Sequence, residues 1–239
     1  MSVLSAGARG ARARSIYRSV LEAVVEQRLP PGSKLTEEQL GSLFSASRTT
    51  VRSALQALAH DHIVTFAPHR SAFVSSPTVE SARDIFAGRK LVEVAIAREV
   101  ASSIGNRQIE ALRALLDEEH AAVRRGDRGA SIRLSGAFHV AVAATRGEGV
   151  LTAFLRSVIP QSSLVIALYG RSHAPACRHD EHVGFLKALE AHDSDAAARQ
   201  MGDHLDNIFG DLDLAVREER PVDLAAVLRT PATAESAAE

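Results

Sequence analysis

Apolar positions in the first quarter of the chain recur at helical spacing. Between Ala13 and Gln27, the residues Ile16, Val20, Ala23 and Val24 share one face. They predict a helix, and Arg28-Leu-Pro-Pro-Gly-Ser33 breaks it. Thr36 then opens a second helix, with Gln39 at the spacing of a capping box and Leu40, Leu43 and Phe44 as its apolar face. Ser45-Ala46 turns the chain. Ser47 caps a third helix that buries Val51, Ala54, Leu55 and Leu58 and ends near His60-Asp61-His62. Two short β-type runs follow, Ile63–Phe66 and Ser71–Val74, joined by Ala67-Pro-His-Arg70 as a hairpin loop. Three helices and a hairpin predict a winged helix-turn-helix over residues 1–76, with residues 1–10 too small and polar to hold a fixed structure.

After the linker Ser75-Ser-Pro-Thr-Val79 the period is helical throughout, with no strand pattern. The predicted helices cover residues 79–103, 106–125, 128–145, 149–169, 178–191 and 195–218, and glycines or His192-Asp-Ser194 mark the breaks. Alanine-rich amphipathic helices with short connections predict an antiparallel all-α bundle over residues 77–219. Residues 220–239 are rich in Pro, Ala, Thr and Glu and have little to bury after Leu228, so they read as a flexible tail. The fold class is mainly α: a winged helix-turn-helix followed by a helical bundle.

The single Cys177 rules out an intramolecular disulfide and suits a reducing compartment; no metal-type Cys spacing surrounds it, and it reads as inert. No stretch reads as long and apolar enough to span a membrane, and the N-terminus lacks a secretory pattern. The expectation is a cytoplasmic protein with no membrane partner. Charge sharpens the domain division. Residues 1–76 hold nine Lys and Arg against five Asp and Glu, a net of +4, whereas the remainder holds 19 against 24, a net of −5. A basic front on an acidic body is the asymmetry of a protein whose front meets a polyanion.

The third helix opens with Ser47-Arg48-Thr49-Thr50-Val51-Arg52. A helix N-terminus carrying hydroxyls and arginines suits phosphates and base edges. Arg48, Thr49 and Arg52 lie opposite the buried face, leaving the two arginines free to meet a guanine edge or a phosphate; Thr49 and Thr50 suit backbone phosphate. Arg70 in the hairpin loop divides evenly between a minor-groove or phosphate contact and a solvated loop charge. The bland reading of Arg48 and Arg52, a solvated pair one turn apart, loses weight because a helix-turn-helix precedes them and a hairpin follows. His60, His62 and His69 read as surface or packing residues.

Pro31-Gly-Ser-Lys-Leu-Thr-Glu-Glu-Gln-Leu40 and Ser47-Arg-Thr-Thr-Val-Arg-Ser-Ala-Leu-Gln-Ala-Leu58 together resemble the DNA-binding domain of the GntR superfamily of bacterial regulators, over roughly residues 13–74. The resemblance implies operator contacts from Arg48, Thr49 and Arg52. The chain departs from the family pattern at Thr50, where Pro is usual, at Ser71, where the wing has Gly, and at His62, where Gly precedes the first strand.

In the second domain His139, His182 and His204 each fall on a predicted amphipathic helix among apolar neighbours. Taken singly, each reads as a hydrogen-bonded core histidine. As a set, three inward imidazoles can hold a divalent metal such as zinc with positions left open. The segments Arg89-Lys-Leu-Val-Glu93, Phe138-His139, Glu181-His182 and His204-Leu205 resemble the FCD ligand-binding domain of the FadR subfamily. That resemblance implies His139, His182 and His204 as metal ligands and a small carboxylate as effector. It also implies an Asp where Ser135 stands, and residues 131–137 contain no acid. Such a site keeps the metal's full positive charge and favours an anionic effector, with Ser135 beside it. Gly147-Glu148 likewise replaces the family's Gly-Asn. Arg89 suits either the effector cavity or an i,i+4 pair with Glu93. Tyr169, Arg156 and Arg171 are further cavity candidates.

The combined reading is a transcription regulator that binds double-stranded operator DNA as a homodimer and answers to a small organic acid. The alternative is a three-His metalloenzyme with an appended winged helix, against which stand the lack of an HExxH motif and of an evident general base.

Overall fold

Ile16, Val20, Ala23 and Val24 are fully buried on one side of α1 (Gly7–Val25), which starts earlier than the apolar periodicity predicts. The computed structural model describes residues 7–67, 71–170, 179–215 and 224–228. The chain forms two compact units, Met1–Ser75 with Glu219–Glu239, and Ser76–Glu218. In the first, α1 is followed by β1 (Lys34–Leu35), α2 (Glu37–Leu43), α3 (Arg48–His60), β2 (Val64–Phe66) and β3 (Ala72–Val74). Thr36 caps α2, accepting from the Gln39 N–H at 3.2 Å and donating to Gln39 Oε1 at 2.7 Å. Ser47 caps α3 by accepting the Thr50 N–H at 3.2 Å. Each cap satisfies a helix donor that would otherwise lack a partner.

The turn between α2 and α3 is tight. Ser45 takes φ 47°, and the Ala46 N–H donates to the Gly41 carbonyl at 2.9 Å. A Cβ at residue 41 would lie 3.1 Å from the Ala46 carbonyl oxygen, so glycine there lets the turn close. Leu40 is buried, whereas Leu43 and Phe44, at the turn itself, are only half-buried. The sheet is antiparallel in the order β1-β3-β2, with Leu35 opposite Ala72 and Val64 opposite Val74. Strand β1 is missing from the sequence reading because two residues carry no alternation. His62 closes α3 at φ 60°, while the Ile63 N–H reaches back to the Leu58 carbonyl at 2.9 Å. This is the left-handed helix end that glycine usually fills.

The second unit is helical: α4 (Val79–Ser103), α5 (Asn106–Arg124), α6 (Arg128–Ala144), α7 (Val150–Tyr169), α8 (His179–Glu190) and α9 (Ser194–Gly210). Thr78, Asp127 and Asp193 cap α4, α6 and α9. Helix α4 packs against α6, α7, α8 and α9, while α5 packs against α6 and α8. Ile96, Val100, Leu112, Leu116, Phe138, Leu155, Phe185, Leu189, Met201 and Leu205 belong to one continuous core. Helices α6 and α7 approach closely at Gly136, where a Cβ would stand 2.8 Å from Ile159 Cγ2.

Two expectations need correction here. Helix α7 is long and apolar enough to cross a membrane by length and composition, with a window of mean hydropathy 1.5. Much of that apolarity serves packing, since Leu155, Val158, Ile159, Leu164, Val165 and Leu168 are buried in the bundle. Helix α9 stops at Gly210 rather than continuing to residue 218. The chain turns there so that buried Leu212 can pair with Gly170 and the Asp213 N–H can reach the Tyr169 carbonyl at 2.7 Å.

The segment expected to be a flexible tail contains α10 (Leu224–Leu228), which packs on α1 and α2. Leu224 and Leu228 are buried, and Arg28 Nη1 donates to the Val227 carbonyl. Two leucines one turn apart are enough to dock a single helical turn.

The exposed His62 makes the close of α3 testable. A β-carbon in the left-handed region costs about 1–2 kcal/mol, and glycine returns part of that relief as backbone entropy. His62→Gly should therefore raise stability by about 0.5–1 kcal/mol in urea denaturation; a decrease would mean that the imidazole's contacts outweigh the backbone relief.

Candidate metal centre and nucleic-acid interface

The start of α3 presents the residues picked out for DNA contact, but not all equally. Arg48 and Thr49 are exposed on the first turn. Thr50 is 7% exposed, and its Oγ1 lies 2.9 Å from Ser47 Oγ, so its side chain is folded against the cap and presents little surface to a phosphate. Arg52 is not free either. Its Nε donates to Glu37 Oε1 at 2.8 Å and its Nη2 to Glu37 Oε2 at 3.0 Å, a two-pronged pair across the helix-turn-helix. The pair is partly exposed, the class worth about 0–1 kcal/mol, so an incoming phosphate can compete for the guanidinium at little cost. Lys34, Arg48 and Arg52 line one groove together with Ser71 from the start of the wing. The sequence reading took Glu37 only as part of the Pro31–Leu40 motif and missed its pairing with Arg52: its position in the first turn of α2 accounts for it as a helix-dipole partner. Arg70 and His69 lie outside the described residues.

In the bundle, α6, α8 and α9 bring His139, His182 and His204 to one point. Their Nε2 atoms are separated by 3.2 Å (His139 to His204), 3.3 Å (His139 to His182) and 3.2 Å (His182 to His204), and all three rings are buried. Behind each ring stands a carboxylate. His139 Nδ1 is 2.5 Å from Glu93 on α4, His182 Nδ1 is 3.0 Å from Glu119 on α5, and His204 Nδ1 is 2.8 Å from Glu181 on α8. A carboxylate at Nδ1 draws the imidazole proton to that nitrogen and leaves a lone pair on Nε2. Three lone pairs therefore face one another in a buried space.

Burial also works against protonation. It draws His204 down to about 3, against the opposing hydrogen bond that its Nδ1 donates to Glu181 and with help from the neighbouring His182 and His139. Burial lowers His139 as well, with Glu93 opposing and Arg89 adding to the shift. Burial would raise Glu93, but the Arg89 guanidinium and His139 outweigh it and hold the carboxyl well below its usual range. A proton is thus a poor occupant for the space between the rings. Metal–nitrogen bonds of zinc length in a tetrahedral arrangement would place nitrogen donors about 3.3–3.4 Å apart, so the three imidazoles fit a divalent cation of that class. Among the described residues, no carboxylate joins this group.

Of the two roles open to Arg89, the structure realises the pair: Nε donates to Glu93 Oε1 at 2.6 Å, and Nη1 donates to Ser162 Oγ at 3.0 Å. Its Nη2 is buried without a hydrogen-bond partner. Ser135 is half-buried one turn before His139. Two cavity candidates are corrected. Tyr169 is buried in a separate apolar cluster with Phe86 and Leu168, its hydroxyl donating to the Pro77 carbonyl at 2.9 Å. Arg156 pairs with Glu148 on the surface, at 2.7 Å from Nη2 to Oε1. Arg171 and Cys177 lie outside the described residues. Glu119 and Glu181 were overlooked as partners of the histidines. Glu119 did leave a signal: it continues the buried stripe Ile109, Leu112, Leu116 at helical spacing, a charged residue on an apolar face. The Glu-His motif shows Glu181, but not that it serves His204 rather than its neighbour.

Comparison with known proteins bears on both units. Residues 12–74 match the family described as bacterial regulatory proteins, gntR family, and residues 84–207 match the FCD domain. The chain is 25% identical over 198 residues to the HTH-type transcriptional repressor RspR of Escherichia coli (strain K12), covering 82% of this chain and 86% of that protein. Its fold resembles that of E. coli McbR/YncC, with a TM-score of 0.74 at 16% identity over 83% of this chain and 95% of that one. It also resembles a putative transcriptional regulator GntR from Rhodococcus sp. RHA1, with a TM-score of 0.74 at 24% identity over 84% and 96% of the two chains. These relationships set the metalloenzyme alternative aside: the chain belongs to the GntR family of bacterial regulatory proteins, a DNA-binding transcriptional regulator with a helix-turn-helix domain and an FCD domain, and not an enzyme.

Proposed function

We propose that this regulator is of the FadR subfamily, acts in the cytoplasm as a homodimer on a pseudo-palindromic operator, and has its DNA affinity set by a small organic acid bound in the helical unit through a divalent metal. The observation that carries the effector half is the buried convergence of three Nε2 lone pairs beside Arg89, whose Nη2 lacks a partner. His139, His182 and His204 would hold the metal. When bound, that ion would act as a Lewis acid able to take a carboxylate oxygen into an open position. Arg89 would offer the same carboxylate a second, charge-assisted contact, and Ser135, one turn before His139 on α6, would add a hydroxyl. Effector binding matters to DNA only if it favours one dimer geometry over another.

On the DNA side, Arg48 and Thr49 are the exposed reading residues. Arg52 would exchange Glu37 for a phosphate or base edge, and Arg70, between β2 and β3 in the sequence, would add a minor-groove or phosphate contact. The homodimer has a candidate face in exposed Leu91 on α4 and Val150 and Phe154 on α7, which are 77%, 85% and 37% exposed. Phe154 lies beside Gly88, so these side chains form one apolar area across the two helices. A second copy presenting the same face would cover it symmetrically and fix the spacing of the two half-sites.

Gel-shift titration with the protein's own upstream DNA should give specific binding that weakens steeply as salt rises. Arg48→Ala should reduce operator affinity on the order of tenfold to a hundredfold. Salt-independent or sequence-independent binding would defeat this assignment. Metal analysis of the full-length protein should find one zinc-class ion per chain, and none in His182→Ala. That variant should still bind the operator while losing its response to organic acids, screened by thermal shift. A retained response without metal would refute the metal-linked effector site. Leu91→Asp combined with Val150→Asp should convert a dimer to a monomer in sedimentation analysis and weaken operator binding; an unchanged mass would place the dimer face elsewhere.

A further inference from the structure

We propose that Glu93, Glu119 and Glu181 act as positioning residues that set metal affinity and metal choice from behind the histidine rings, in a centre whose direct protein donors are all neutral nitrogen. The inference rests on the metal reading above and concerns residues which that reading does not use.

The arrangement is regular. Every one of the three converging rings has its far nitrogen within 3.0 Å of a carboxylate oxygen, and the three carboxylates come from α4, α5 and α8. A charged acceptor at Nδ1 does two things to an imidazole. It fixes the ring's rotation and tautomer, and it pushes electron density toward Nε2, making that atom a stronger donor. Burying a carboxylate costs several kcal/mol unless strong partners offset it, yet Glu93 and Glu119 are 2% and 0% exposed. Glu119 is the most telling, because it interrupts the apolar stripe of α5 to face His182, and its Oε2 also lies 3.8 Å from Nδ1 of His179. His179 in turn packs against His120, ring centroids 4.6 Å apart. An apolar residue at 119 would continue the core; a carboxylate there is explained by the ring it holds.

The donor set also decides the kind of ion. Magnesium, calcium and manganese take oxygen donors, and among the described residues this group offers none. Three imidazoles suit zinc, nickel, cobalt or copper. The carboxylates strengthen nitrogen donors without adding oxygen to the set, so they widen that preference.

The test uses full-length protein stripped of metal by chelation. Zinc and manganese affinities are measured by competition with a chromophoric chelator for the wild type, Glu119→Gln, Glu119→Ala and Glu181→Gln. Glutamine keeps an acceptor for the ring and loses the charge, so Glu119→Gln should weaken zinc binding about tenfold, and Glu119→Ala nearer a hundredfold. Glu181, 27% exposed, keeps the test sound should the buried substitutions fail to fold, and Glu181→Gln should also weaken zinc about tenfold. The visible bands of the cobalt(II)-loaded protein should shift in each variant, while the thermal midpoint of metal-free Glu181→Gln, the partly exposed position, should stay unchanged, which separates ring positioning from general stability. Zinc affinity within threefold of the wild type for both glutamine variants would overturn the positioning role. Manganese binding as tight as zinc would overturn the selectivity. A wild type that binds neither ion would instead defeat the metal reading itself, and this inference with it.

Discussion

Three imidazole lone pairs held 3.2–3.3 Å apart in a buried space form the constraint around which the helical unit is organised. Acceptors facing acceptors repel, so their convergence needs rings that cannot turn away. Each ring is therefore fixed twice, by its helix and by a carboxylate on its far nitrogen. Five of the six helices of the bundle contribute: α6, α8 and α9 carry the histidines, and α4, α5 and α8 carry the glutamates. Phe138 packs against the His182 ring, and Phe185 packs in turn against Phe138, so the cluster has apolar surroundings on that side. Burial thus opposes a proton at the place where it leaves a divalent cation well accommodated.

The DNA-binding unit follows a different logic, with its polar groups committed to local geometry before any ligand arrives. The Ser47 hydroxyl holds the first turn of α3, Thr50 is folded into that cap, and Glu37 aims Arg52 across the turn. The part of the proposed reading surface that is fully exposed is consequently small, Arg48 and Thr49, while Arg52 is engaged in an ion pair that water already weakens. A preset guanidinium loses less freedom on meeting a phosphate or base edge than a freely rotating one would.

Much of this was legible from local pattern. The caps at Thr36 and Ser47, the buried faces of α1 and α3 and the helical character after residue 79 all come from spacings of a few residues, and the structure reproduces them. The errors fall where a residue's partner is distant in sequence. Tyr169 resembled a cavity residue until Pro77, 92 positions away, claimed its hydroxyl. Strand β1 exists only because β3 pairs with it, and α10 only because two leucines find a place on α1 and α2.

The sequence by itself determined that this chain carries a helix-turn-helix with arginines at the head of its second helix and a bundle with three histidines on apolar helical faces. Those features follow from periodicity and capping, which act over one or two turns of chain. Only the tertiary structure decided that the three histidines meet at one point, that Glu93, Glu119 and Glu181 stand behind them, and that Glu37 holds Arg52. These pairings join residues from 15 to 65 positions apart, where helix packing and not local spacing sets which side chains meet.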